Sequence, residues 1–194
     1  PHGTIVGQAQ DSAWHRAASH RAKILAMLPN NPQRRNGVIC ILGIEDGIAI
    51  DLHGLLHRFH EVHLFDEDEQ KLKAAIQNQH LDDRQRIFHR SFDLTGLPET
   101  IAIPASADQT DCEKSVAMLQ QHAWPQLGQF DVVVSNSRIP ALTNQVASVY
   151  SDRPGWAGRL IQTVRERHLE LMLNLVAPGG QAFLILDAVS SRSL

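Results

Sequence analysis

The sequence predicts an α/β fold: a doubly wound, mostly parallel sheet with helices on both faces. Three observations carry that expectation. The runs at 38–42 (VICIL), 61–65 (EVHLF) and 130–135 (FDVVVS) have the length and β-branched content of strands buried in a sheet. Between them lie stretches with apolar residues every three or four positions, the period of a helix packed along one side. Strands that alternate with helices pair in parallel through right-handed crossovers.

Residues 11–28 read as a helix with Trp14, Ala17, Ala18, Ile24, Leu25 and Leu28 apolar, Asp11 or Ser12 as its cap, and the Pro29–Pro32 segment as its stop. The first strand, 38–42, ends at Gly43, and Gly47 is expected to open a helix over 48–60. The second strand, 61–65, ends on Asp66-Glu67-Asp68, and a helix over 71–79 follows with Leu72, Ala75 and Ile76 on one face. A short strand at 86–90 leads to Ser91-Phe92-Asp93 and a turn-rich stretch over 94–98. Residues 101–103 suggest a short strand and 111–122 a helix. After the strand at 130–135, a long helix is expected over 159–177, with Leu160, Ile161, Val164, Leu169, Met172, Leu173 and Val176 apolar. Pro178-Gly179-Gly180 would end it, ahead of a fifth strand at 181–187.

At 194 residues the chain is expected to form a single domain, with an N-terminal helical region over 11–30 and an insertion over 94–129. The net charge of -3 and the scattered Lys and Arg residues leave no basic footprint, so no nucleic acid partner is expected. Two cysteines make no disulfide framework, and Cys40 reads as a buried apolar residue of the first strand. No stretch approaches 18 apolar residues and the first residues lack the pattern of a signal peptide, so no membrane partner is expected and the default is a soluble, cytoplasmic protein. An N-terminus without Met is compatible with processing ahead of Pro1.

Chemistry concentrates at the first glycine turn. Gly43 and Gly47 allow close backbone approach, and the acid Asp66, with Glu67 beside it, stands about 20 positions further on, the layout of a nucleoside-cofactor site. Each residue also has a structural reading: the glycines as shapers of a βα turn, the acidic run as a helix cap. His53, His57 and His60 share a stripe, but Leu52, Leu55, Leu56 and Phe59 claim the core face and no ligand spacing is completed, so no metal is expected. Asp131, His168 and a serine make a hydrolase triad only on paper, because the chain has no Gly-x-Ser-x-Gly elbow.

Over residues 14–187 the chain resembles the class I, Rossmann-like methyltransferases that use S-adenosylmethionine. The likeness rests on the order of five landmarks: the glycine turn, Asp66 after strand two, Phe92-Asp93 after strand three, the 130–135 strand, and the 175–180 segment (LVAPGG) before strand five. It implies that Gly43 and Gly47 line the methionine end of the cofactor, with Glu45 in the same turn. Asp66 would hold the ribose hydroxyls, with Glu67 beside it at the cofactor site, Asp93 would hold the adenine amino group with Phe92 close by, and Ser135 and Asn136 would stand near the transferred methyl. No catalytic residue is singled out, because the sulfonium is already a strong electrophile and orientation can carry the rate. On this reading Asp66→Ala weakens cofactor binding and leaves the fold intact.

The departures from the family pattern are specific. Ile41 stands where an acid is usual and Glu45 where the middle glycine is usual. Glu45 could obstruct the turn or face the cofactor's positive groups. Strand four lacks the Asn/Asp-Pro-Pro-aromatic signature of amino-methylating enzymes acting on DNA bases and glutamine, and two further strands of the family's sheet have no counterpart, as in a fragment or a shortened sheet. The leading expectation is methyl transfer to a small-molecule or protein acceptor. One alternative is a non-catalytic binding or assembly module that keeps the fold. Another is an NAD-dependent oxidoreductase, whose glycine fingerprint fits poorly because its later glycines fall on Glu45 and Ile48. Neither the acceptor nor the oligomeric state follows from the sequence.

Overall fold

The computed structural model of the chain describes residues 13–30, 37–44, 47–81, 84–94, 109–121, 123–136, 138–149 and 152–186. The fold is α/β, as predicted, with a five-stranded sheet whose described pairs are parallel and alternate with helices. Two compact units divide the chain, residues 1–92 and 93–194. No described helix is long and apolar enough to cross a membrane.

The first unit holds α1 (Ala18–Met27), β1 (Val38–Leu42), α2 (Leu52–Arg58), β2 (Glu61–Asp66), α3 (Glu69–Asn78) and β3 (Ile87–Ser91), with the strands in the order β3-β2-β1. Leu42 lies opposite Phe65 and Asp66 opposite Ser91, so the three strands end side by side. Ile39, Ile41, Val62, Leu64, Leu72 and Ala75 are buried and form the core between sheet and helices. In β3 only Ile87 is buried, as suits an edge strand. Asp68 caps α3 by accepting the amides of Gln70 and Lys71.

The helix expected over 48–60 is shorter. It begins at Leu52, where Asp51 caps it by accepting the Gly54 amide, and ends at Arg58 because Phe59 is already extended. Gly47 therefore lies in the connection ahead of the helix and does not open it. Leu52, Leu55, Leu56 and Phe59 are buried while His53, His57 and His60 face outward, as their spacing predicts. In α1 the buried stripe is Arg21, Ile24 and Leu28, and Ala18, expected on that face, is exposed. The guanidinium of Arg21 lies 3.4 Å from the centre of the Trp14 ring and donates to the carbonyls of Trp14 and Ile48. Arg58 donates to the carbonyls of Leu25 and Leu28, satisfying the end of α1.

The second unit holds α4 (Gln109–Gln121), β4 (Phe130–Asn136), α5 (Arg138–Val149), α6 (Pro154–Leu175) and β5 (Val176–Ile185). Leu119, Leu142, Val146, Leu160 and Val164 join α4, α5 and α6 in one apolar cluster. Helix α5 has no counterpart in the expectation. Ile139, Leu142 and Val146 carry its period, but Pro140 conceals it; a proline in the first turn removes no intrahelical bond. In α6 the buried face is Leu160, Val164, His168, Leu171, Met172 and Leu175, so Leu169 and Leu173, read as apolar face, are exposed.

Pro178-Gly179-Gly180 does not end that helix. β5 begins directly at Val176 and carries the three residues as a bulge: Phe130 pairs with Val176 and Val132 with Gln181, an irregular register. Gly179 takes φ 77°, and a Cβ on Gly180 would come within 2.9 Å of the Asp131 carbonyl oxygen. The short strand suggested at 101–103 lies outside the described residues, as does His122, the last residue of the helix expected over 111–122.

Cys40 and Cys112 are both free and buried, and burial pushes both thiols up, Cys40 well up. A folded-state pKa above the unfolded value of about 9 means stability is fully present below that pH and declines as pH rises beyond it. Denaturant unfolding at pH 8 and pH 10 is expected to give the lower stability at pH 10. Thiol titration at pH 8 is expected to find neither cysteine reactive until the chain is unfolded.

Candidate functional site

The carboxyl ends of β1, β2 and β3 are stitched together by backbone groups. Gly43, at φ 83°, donates its N–H to the Phe65 carbonyl at 2.8 Å. The next amide, Ile44, donates to Oδ2 of Asp66 at 2.9 Å, and Oδ1 of the same carboxylate accepts the Asp68 amide at 3.1 Å. Phe92 in turn donates its N–H to the Asp66 carbonyl at 3.1 Å, and its ring meets Phe65 edge-on, centres 5.5 Å apart. Gly43, Asp66 and Phe92, separated by up to about 50 residues in the chain, thus share one junction where open α/β sheets bind their ligands.

The carboxylate of Asp66 faces inward. The residue is 0 % exposed, and each of its oxygens holds a backbone amide. Glu67, the other acid named at the end of β2, is exposed, and its carbonyl accepts the Ser91 hydroxyl at 2.9 Å. Gly47 takes φ 74° and is buried against α3, where a Cβ would fall 2.5 Å from that of Ala75. Glu45 lies outside the described residues.

A residue of this region that sequence reasoning missed stands at the end of α3. Gln79 is 7 % exposed, and its amide holds the connection after β1: Oε1 accepts the Leu52 N–H, and Nε2 donates to the carbonyls of Gly47 and Ile50. Its signal was its place, since it continues the stripe of Leu72, Ala75 and Ile76 by one more turn.

In the second unit Asp93 is exposed. Ser135 and Asn136, at the end of β4, are both 0 % exposed. The Ser135 hydroxyl pairs with Nε2 of His168 on α6 at 2.8 Å, a buried polar link inside the unit, whereas the Asn136 amide has no hydrogen-bond partner on either atom among the described residues. Among the described residues, no group of three or more His, Cys, Asp or Glu is arranged to hold a metal ion.

For a nucleoside cofactor, the glycine at 43, the half-buried Phe92 and the exposed Glu67 are residues of the fitting kind at one end of the sheet, and Gly43 itself is buried. Asp66 serves the turn itself in this conformation.

Neither protein-family models nor curated proteins give a match to the chain. Among solved structures it is similar to the glycopeptide N-methyltransferase MtfA, with a TM-score of 0.50 at 13% identity, over 87% of this chain and 52% of that one. It is also similar to DesVI of Streptomyces venezuelae, with a TM-score of 0.48 at 12% identity, over 95% of this chain and 56% of that one. A third similar structure is precorrin 8w decarboxylase of Methanobacterium thermoautotrophicum, with a TM-score of 0.48 at 13% identity, over 91% of this chain and 65% of that one. The chain therefore spans between about half and two thirds of the length of these structures. At such identity the likeness concerns fold alone, and the fold is the Rossmann-like α/β one that this chain shares with MtfA.

Proposed function

We propose that the chain is an S-adenosylmethionine-dependent methyltransferase acting on a small-molecule or protein acceptor. The observation that supports this reading is the junction of Gly43, Asp66 and Phe92 at the carboxyl ends of three parallel strands. When bound, the cofactor would supply an electrophilic methyl group. The chain's own part would be to position it: Gly43 by close backbone approach, Glu67 by accepting ribose hydroxyls, Phe92 and Asp93 on the adenine side. Asp66 and Gln79 act one step back, holding the connection after β1 in shape. The reading includes a cytoplasmic location and neither a nucleic acid nor a membrane partner.

One observation favours a second reading, a non-catalytic module of the same fold. The acid best placed by sequence is fully buried on two amides, and Gly47 is accounted for by its contact with Ala75. Calorimetric titration of the folded protein with S-adenosylmethionine and S-adenosylhomocysteine, with NAD as control, separates the two. Micromolar binding of the first two alone is expected for a methyltransferase. Absence of binding would overturn that reading in favour of the module.

A further inference from the structure

The second unit contains a cavity of about 490 Å³ between the 123–129 segment and the last turns of α6. It opens at the amino end of β4, whereas Ser135 and Asn136 stand at the carboxyl end, about 20 Å away by the rise of a strand. Leu127, Leu171 and Leu175 give it an apolar floor and Trp124 an aromatic wall. Among the described residues lining it, Arg167 and Glu170 alone carry charge.

Arg167 is only 6 % exposed, an uncommon state for a guanidinium. Its Cζ carbon lies over the Trp124 ring, 4.8 Å from the ring centre, a cation–π contact with the aromatic wall. Nη1 donates to Oε2 of Glu170 at 2.6 Å, while the Glu170 side chain itself is 52 % exposed. A carboxylate thus already occupies the guanidinium, and it arrives on a solvent-facing side chain that can swing away. The site is a buried cation beside a cavity lined by leucines and Trp124 together with the amides of Gln126, Gln129 and Asn174, and the exposed Glu170 carboxylate is one of its partners.

We propose that this cavity binds an organic carboxylate with an apolar body: the acid group takes the place of Glu170 on Arg167, and the body lies against Trp124 and the leucine floor. This site is independent of the methyltransferase reading. The pairing follows from the preference of a guanidinium for carboxylates and from the size of the cavity, which suits a small molecule.

The test is calorimetric titration of the intact protein with 3-phenylpropanoate, with the matching amide and amine as controls and tryptophan fluorescence as a second readout. The acid is expected to bind saturably, and the uncharged amide roughly tenfold or more weakly, the effect of losing a charge-assisted hydrogen bond. Arg167→Met is expected to abolish binding. Glu170→Gln, at an exposed position that does not threaten folding, is expected to bind the acid about two- to fivefold more tightly because the internal competitor is gone. Equal binding of acid and amide, weaker binding by Glu170→Gln, or no saturable binding of the acid by either form would overturn the proposal.

Discussion

Replacing Asp66 by alanine is expected to lower the free energy of unfolding by about 2–4 kcal/mol, because two backbone amides lose their acceptor, that of Ile44 in a buried setting and that of Asp68 in a part-buried one. The Ile44 amide belongs to the turn after β1 and the Asp68 amide to the cap of α3, so the loss is felt on both sides of β2. Asp66→Asn keeps one acceptor oxygen and is expected to lose about half as much. Equilibrium unfolding in urea, with an unchanged m-value, measures both. A stability within about 0.5 kcal/mol of the parent protein would mean that this carboxylate is held for a ligand and not for the turn. The sequence alone gives the opposite expectation, an intact fold with weakened cofactor binding, because burial of the carboxylate is invisible there.

The second large effect is expected at Gly47. Alanine there must adopt φ 74°, which destabilises an L-residue by about 1–2 kcal/mol, and its Cβ meets the Cβ and Cα of Ala75. Overpacking of this kind adds about 1–3 kcal/mol, so Gly47→Ala should lose about 2–5 kcal/mol in total. Because the contact and the torsion are separate terms, adding Ala75→Gly should recover part of the contact term and none of the torsional one. A double-mutant cycle followed by denaturant unfolding reads the two apart. A single variant as stable as the parent would show that the α3 contact does not constrain this connection.

Both variants touch the same short connection after β1, which is held from three sides: the Asp66 carboxylate, the Gln79 amide and the Arg21 guanidinium. Of these only Asp66 was singled out in the sequence as a cofactor residue, by its place at the end of a strand. Arg21, Gln79 and His168 share a pattern that reads as core although the residue is polar. Each stands on the apolar stripe of its helix, where a hydrophobic side chain is the default, and each is buried with hydrogen bonds. A polar residue in a core register signals a specific buried partner, but the sequence does not name the partner.

Local chemistry alone determined the α/β class, the positions of the first four strands, and the inward faces of α2 and α3. Apolar runs, helical periodicity and a glycine after a strand act over a few residues and need no distant partner. Three matters were decided only by tertiary structure. Pro178-Gly179-Gly180 became a bulge in β5 because β4 offered it a parallel neighbour. Leu169 and Leu173 turned outward because His168 and Leu171 took the face toward the unit's interior. Asp66 was buried because the amides of Ile44 and Asp68 converge on it. In each case the outcome is a competition between groups far apart in the chain, settled by which of them can bury its surface and satisfy its hydrogen bonds at once.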